Sequence, residues 1–147
     1  MRKRRTDGWS PARSRTIQDV DGDDWGEPPP EAGHLVRRCT QLRRKPLTDF
    51  TVEDLRIMLG QEMNVRILLP LAVDVLALDP LAEGDLYPGD LLWSVLRLPR
   101  SAWDGRPDLR DRLGVVLEAV DWEDTDVPKE MWDVLVAGGW CRPTGDR

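Results

Sequence analysis

Acidic side chains are the residues of this sequence with the clearest chemical potential, and they are densest in one stretch. Residues 118–133 contain seven carboxylates and one base, Lys129. The carboxylates are Glu118, Asp121, Glu123, Asp124, Asp126, Glu130 and Asp133. Carboxylates that converge in a cleft bind magnesium or assist hydrolysis, whereas neighbours on a loop mostly diverge. We therefore favour a negative surface that attracts a basic protein, with a merely solvated acidic face as the alternative.

Histidine and cysteine chemistry has little support. His34 is the only histidine, so any histidine-dependent nucleophilic mechanism would have to use it. Glu31 and His34 have the spacing of a di-metal helical bundle, but that design repeats the motif with a second histidine. Cys39 and Cys141 have no ligand partner at zinc-site spacing. We interpret His34 as a surface residue at a helix start and both cysteines as small hydrophobic residues.

Calcium and phosphate loops are also absent from the pattern. The aspartate-rich residues 19–24 place Asp24 where a calcium loop needs glycine, and Pro30 where it needs a carboxylate. The glycine pair at residues 138–139 follows a helix, whereas phosphate loops need glycines at a strand-to-helix turn. We therefore expect no metal, no cofactor and no enzymatic activity.

The overall charge favours a basic partner over nucleic acid. The 147 residues include 21 basic and 27 acidic side chains, for a net charge of −6. Residues 1–50 carry 11 basic and 8 acidic residues, a balance of +3, whereas residues 51–147 carry 10 and 19, a balance of −9. The 40% apolar content is enough for one modest core. The composition predicts an acidic globular body with a basic N-terminal tail.

No segment has the character of a membrane span or a signal peptide. The longest uncharged apolar run covers residues 67–73, far short of the ~20 residues that cross a bilayer. The basic residues at positions 2–5 are followed by Thr6, Asp7 and Gly8, where a signal peptide would need an apolar segment. We therefore expect no membrane association and a cytoplasmic location.

Periodicity and proline positions predict where the helices lie. Residues 1–16 lack periodic apolar positions, so we expect a disordered basic tail followed by a single helical domain over residues 17–147. Val65–Leu78 is apolar almost all round, which predicts a buried central helix around Pro70. Amphipathic helices are predicted to begin near residues 31, 51, 88, 107 and 128. No stretch alternates with a strand period. The fold class is therefore all-α, a single compact domain of about six helices joined by short proline-marked turns.

Particular side chains have predicted places in these helices. The apolar stripe of the first long helix consists of Leu35, Cys39 and Leu42. Arg43 and its basic neighbours are expected to point away from that stripe, where cations suit the helix C-terminus. Thr51 is expected to cap the following helix. Residues 17–25 contain isolated apolar side chains, so we expect this segment to fold back as an arm.

Two passages resemble a known protein family in more than their amino-acid composition. They are residues 46–61 (PLTDFTVEDLRIMLGQ) and residues 79–92 (DPLAEGDLYPGDLL). Together they resemble a family of immunity proteins from bacterial contact-dependent growth inhibition (CDI) systems. Residues 23–29 (DDWGEPP) fit the region before the first helix in such proteins. The likeness covers residues 17–121, and its most specific portion is the loop at residues 81–90.

The resemblance implies an inhibitor that binds the toxic C-terminal domain of a cognate CDI effector, with a nuclease active site as the expected target. It implies no reaction of its own. Immunity proteins of this kind diverge where they meet their toxins, which makes the acidic stretch an acceptable binding surface. The expected contact residues are Asp121, Trp122, Glu123, Asp124, Asp126 and Glu130, with Trp122 as the best-placed aromatic anchor.

The loop at residues 81–90 offers a second set of contacts. Its candidates for partner contact are Glu83, Asp85, Tyr87 and Asp90. A structural role competes with that reading, because the three carboxylates could cap helices and fix the turn at Pro88. We prefer the structural role for these residues.

Two other classes of function remain as alternatives. A small helical regulator could hold nucleic acid with the basic tail and the basic face between Arg37 and Lys45, and salt-dependent retention of DNA or RNA would reveal it. A metal-dependent hydrolase could use the acidic stretch, and loss of activity on chelation would reveal it. The sequence leaves the identity of the toxin and the oligomeric state open.

Overall fold

Helices account for all of the regular secondary structure in the described part of the chain. The computed structural model describes residues 15–140, and within this range it contains seven α-helices and no strand. The helices are α1 (Ile17–Asp21), α2 (His34–Arg43), α3 (Val52–Gly60), α4 (Val65–Leu78), α5 (Asp90–Leu96), α6 (Pro107–Glu118) and α7 (Lys129–Ala137). The all-α prediction is confirmed. The basic run at residues 2–5 and Cys141 lie outside the described residues.

The helix α4 lies at the centre of the packing, because its apolar character leaves few positions suited to water. It packs against α3, α5 and α6. Its fully buried residues are Leu68, Leu69, Ala72, Val73 and Leu76. The helix has the predicted bounds and continues through Pro70, whose ring nitrogen cannot donate a hydrogen bond to the Arg66 carbonyl. Among the described residues, no helix is both long and apolar enough to cross a bilayer.

Local capping sets several helix ends. At the start of α3, the Thr51 hydroxyl accepts a hydrogen bond from the Asp54 N–H (3.1 Å), and Asp54 accepts one from the Thr51 N–H (3.0 Å). At the end of α7, Gly139 adopts φ +77°. The Trp140 N–H then bonds to the Leu135 carbonyl at 2.9 Å, which gives the helix a glycine-based C-terminal cap.

We expect Thr51→Ala to lower the free energy of unfolding by about 1 kcal/mol, because it removes the side-chain acceptor for an otherwise unpaired amide of α3. Urea denaturation measures the change. Thr48→Ala is the matched control, since Thr48 is exposed in the neighbouring 3₁₀ turn (Leu47–Asp49). Equal effects of the two substitutions would contradict the capping role.

The N-terminal segment folds back onto α2 as predicted, and Arg43 holds it there. Ile17 is fully buried, whereas Trp25 stays 43% exposed. Arg43 is 2% exposed, and its guanidinium contacts the Asp21 carboxylate (2.9 Å), the Asp23 carbonyl (2.5 Å) and the Trp25 ring (4.6 Å to the centroid). The prediction that Arg43 points away from the packed face is therefore wrong. Its charge is neutralised by a partner from the arm, which makes burial tolerable.

The first residue of α5 also differs from the prediction. The helix α5 begins at Asp90 and not at Pro88. Gly89 has φ +92° and serves as the N-cap. Only a residue without a β-carbon adopts this conformation without strain, so the chain turns at Gly89 before the helix can start.

Candidate functional site

The acidic stretch, defined as residues 118–133, joins the end of α6 to the first turns of α7. Its seven carboxylate residues are all exposed: Glu118, Asp121, Glu123, Asp124, Asp126, Glu130 and Asp133. Lys129 forms an exposed ion pair with Asp133 at 2.9 Å. The stretch therefore presents a strongly negative surface that includes every acidic residue predicted for it.

The backbone of this stretch is held by internal contacts around a 3₁₀ turn (Trp122–Asp124). Trp122 is half-buried, and its indole N–H donates a hydrogen bond to the Leu117 carbonyl at 2.9 Å. The Trp122 ring lies 6.2 Å from the Trp132 ring, centroid to centroid. The Asp121 carboxylate accepts a hydrogen bond from the Glu123 N–H at 3.2 Å. Trp122 thus holds the turn against α6 and α7. Its indole N–H already has a hydrogen-bond acceptor within the chain.

The second candidate region is the motif loop, defined as residues 81–90. Asp90 is 2% exposed, and its carboxylate faces the loop from inside. It accepts hydrogen bonds from the N–H groups of Gly84 (2.7 Å), Leu86 (3.0 Å) and Tyr87 (3.4 Å). One buried carboxylate therefore fixes the course of half the loop.

The helix α3 supports the same loop through a charged pair. Glu53 accepts a hydrogen bond from the Asp85 N–H at 2.8 Å, and Arg56 binds both oxygens of Glu53 at 2.6 and 2.5 Å. Arg56 Nε also lies 3.8 Å from the Asp90 carboxylate. The Arg56 guanidinium holds the pKa of the Glu53 carboxyl below its usual value, and Glu53 in turn raises the pKa of Arg56. Both groups thus stay charged, which keeps the loop attached to α3.

Gly84 is required by this close approach. A β-carbon at Gly84 would lie 2.6 Å from the Glu53 Oε1 and 3.3 Å from the Glu53 Cα. A side chain there would push the loop away from the helix that holds it. Glu53 and Arg56 were not among the residues predicted to support the loop. Their spacing of three residues on one helix face was the signal that could have indicated a bidentate pair.

The four predicted loop residues differ in exposure. Glu83 and Asp85 are exposed, Tyr87 is half-buried, and Asp90 is buried. Burial, together with the Asp90 charge, raises the pKa of the Tyr87 hydroxyl. A partner can therefore reach Glu83 and Asp85 directly, whereas Asp90 acts on the loop from below.

The acidic stretch and the motif loop meet beside Met131. A β-carbon placed on Gly89 would lie 3.5 Å from the Met131 Cε. Met131 is 1% exposed and belongs to the first turn of α7, next to Glu130. The fold thus brings together two regions that the sequence separates.

The basic face of α2, by contrast, is occupied within the chain. Lys45 and Arg38 both bind the buried Asp54 carboxylate, at 2.6 and 2.7 Å. Arg44 binds Glu27 at 3.0 Å, and the Arg37 guanidinium donates to the backbone carbonyls of Pro29 and Pro30. Three of the cations that a nucleic-acid regulator would need are therefore paired with carboxylates, and Arg37 is bound to backbone carbonyls.

Convergent ligand sets are not found in residues 15–140. No group of three or more histidine, cysteine or acidic residues in this range could hold a metal ion. Cys39 is buried, and burial raises the pKa of its thiol. A groove of about 720 Å³ between α4 and the segment that precedes α6 is lined in part by Arg66, Pro70 and Ala102. The metal-dependent hydrolase gains no support from these features.

The combination of an all-α body, an acidic surface and a fixed loop defines a protein suited to binding another protein. Residues 19–113, more than half of the chain, match the family described as CDI immunity proteins. The chain belongs to this family of contact-dependent growth inhibition immunity proteins, which implies a cognate CDI toxin as its partner. Proteins of the family are generally not enzymes. No curated protein and no solved structure matches the chain.

Proposed function

We propose that this protein binds the toxic C-terminal domain of its cognate CDI effector, a nuclease, and neutralises it through the acidic stretch. The observation that carries the proposal is the exposure of seven carboxylates beside a single lysine in residues 118–133. A nuclease needs a positive surface to hold phosphate groups. A fixed negative surface competes for those same positive side chains.

The extent of the family match supports different roles for different segments of the chain. It ends at residue 113, before the acidic stretch begins. Binding to one particular toxin then depends on the part that the family description does not include. An interface of standard size would bury about 1,600 Å² in total, so it would extend from the acidic stretch onto neighbouring elements such as the motif loop.

The charge also determines how fast the complex forms. A negative patch accelerates encounter with a basic partner by long-range attraction. Speed matters for an immunity protein, because the toxin acts from the moment it enters the cell. We place the encounter in the cytoplasm, where a nuclease would meet its substrate.

Co-expression with the toxin domain encoded beside this protein tests the proposal. We expect growth to be rescued, and the purified toxin domain to lose its nucleic-acid cleavage when this protein is added. Binding of a catalytically inactive toxin domain should weaken by about tenfold or more between about 50 and 300 mM salt, because screening shortens the reach of charge. An unrelated toxin domain is the control.

The outcomes separate the parts of the proposal. If growth is not rescued and no complex forms, the proposal that this protein neutralises the toxin domain encoded beside it is wrong. If growth is rescued but the toxin cleaves neither DNA nor RNA, the immunity function stands and the nuclease target is wrong. If binding does not change with salt, the acidic stretch is not the main contact.

A further inference from the structure

We propose that Leu86, at the exposed tip of the motif loop, is an apolar anchor that enters an apolar pocket with a basic rim on the toxin domain. This inference rests on the proposed function and adds a residue and a pocket chemistry to it. Leu86 is 60% exposed. The next leucines along the chain, Leu91 and Leu92, are fully buried.

The loop holds Leu86 in its exposed position by an unusual set of backbone contacts. Four consecutive N–H groups, at residues 84–87, all donate to carboxylates of the same chain. Asp90 accepts three of them and Glu53 accepts the fourth. A loop without these contacts could fold its leucine inward, where burial is favourable. The contacts instead keep an apolar side chain in water.

Such a fixed loop lowers the cost of binding. A partner that binds a mobile loop must also order it, which costs free energy. Here the ordering is supplied by Asp90, Glu53 and Arg56 before the partner arrives. A few residues that enter well-packed, desolvated pockets contribute most of the binding energy at protein interfaces. Leu86 has the required exposure, and its backbone is already fixed.

The charges around Leu86 identify the kind of pocket. Glu83 and Asp85 are both exposed on the same loop. A second copy of this chain would bring like charges together, in a protein whose net charge is already −6. A pocket with lysine or arginine at its rim would pair with these carboxylates. Inside the fold, buried Gly89 lies beside buried Met131, so the loop packs against α7, the helix that carries the last part of the acidic stretch.

Substitutions at Leu86 test the anchor, with binding of a catalytically inactive toxin domain measured by calorimetry. We expect Leu86→Ser to weaken binding by about 30-fold or more, since a buried anchor contributes about 2 kcal/mol or more. Leu78→Ser is the matched control, because Leu78 is 90% exposed at the end of α4. The control should bind within about twofold of the wild type, and both variants should keep the wild-type melting temperature.

A charge comparison tests the basic rim. Leu86→Lys should weaken binding more than Leu86→Glu, because only the lysine repels a basic rim. Weaker binding of Leu86→Glu than of Leu86→Lys would overturn the proposal of a basic rim. If Leu86→Ser binds within about twofold of the wild type, Leu86 is not an anchor. Formation of the wild-type complex in the same experiment would still leave the proposed function standing. If the wild type itself does not bind, both proposals fail together.

A substitution at Gly84 changes the loop and leaves every exposed side chain of the loop in place. Gly84→Ala should weaken binding although Leu86, Glu83 and Asp85 all remain, because the new β-carbon collides with Glu53. Hydrogen exchange at the Leu86 amide should become faster in this variant. Unchanged affinity together with faster exchange would show that preorganisation of the loop does not matter.

Discussion

Reversing the charge of three carboxylates in the acidic stretch is expected to weaken toxin binding by about 100-fold or more and to abolish growth rescue. The variant is Asp124→Lys, Asp126→Lys and Glu130→Lys together. These residues are exposed on the 3₁₀ turn, in the following loop and in the first turn of α7. Each reversal replaces an attraction to the basic partner by a repulsion. Calorimetry and the co-expression assay measure the two effects.

A variant with the same total change in charge is the control. Glu31→Lys, Asp49→Lys and Glu62→Lys together alter three exposed acids on other parts of the surface. This control should retain growth rescue and most of the affinity. Equal losses in both variants would show that net charge matters and position does not. Unchanged binding in both would move the binding site away from the acidic stretch.

Local signals predicted most of the helical framework. The central helix has the bounds that its apolar run predicts, Val65–Leu78. Thr51 caps α3 as its position predicts, and α6 begins at Pro107. Each of these signals depends on residues within one or two helical turns. A sequence pattern can therefore show them without knowledge of the tertiary contacts.

Side-chain contacts that helical periodicity does not show account for what the pattern missed. Arg43 is buried because Asp21, 22 residues earlier, supplies its partner. The start of α5 is delayed because the Asp90 side chain is committed to the amides of the loop and Gly89 turns the chain. Helical periodicity shows neither contact: Asp21 lies 22 residues before Arg43, and the amides of Gly84 and Leu86 precede Asp90 in an irregular loop. In both cases a side chain that looks suited to water finds a charged or polar partner inside the fold.

In the candidate site, too, the sequence could predict some features and not others. Exposure of the acidic stretch could be predicted, because burial of a carboxylate is costly and seven of them stand beside one base in this sequence. The support of the motif loop could not, because the bond between the Asp85 N–H and Glu53 spans 32 residues. Leu86 was not singled out, because a loop of turn-forming residues has no periodicity that would place its leucine inside or outside the core. Only the hydrogen bonds of the folded loop show that the Leu86 side chain is kept exposed.

Asp54→Asn is expected to lower the free energy of unfolding by about 3 kcal/mol at about pH 7, the largest effect on stability that we predict. Asp54 is fully buried and binds Arg38, Lys45 and the Thr51 N–H, so it joins α2 to α3. Asparagine keeps the shape but removes the charge that both cations need. Urea denaturation measures the loss, and Asp49→Asn, at an exposed acid nearby, should change stability by less than about 0.5 kcal/mol.

The pH dependence of this loss identifies its cause. Burial by itself would raise the pKa of the Asp54 carboxyl, but its hydrogen bonds to Lys45 and Thr51 and the charge of Arg38 outweigh burial and lower the pKa below 3.8. A lowered pKa in the folded state means that the unfolded chain binds the proton more readily. The stabilisation is therefore complete above the unfolded value and disappears as the pH falls through the folded one. The difference between wild type and Asp54→Asn should thus shrink below about pH 4. A difference that stays constant down to about pH 2.5 would show that shape, and not charge, is what Asp54 contributes.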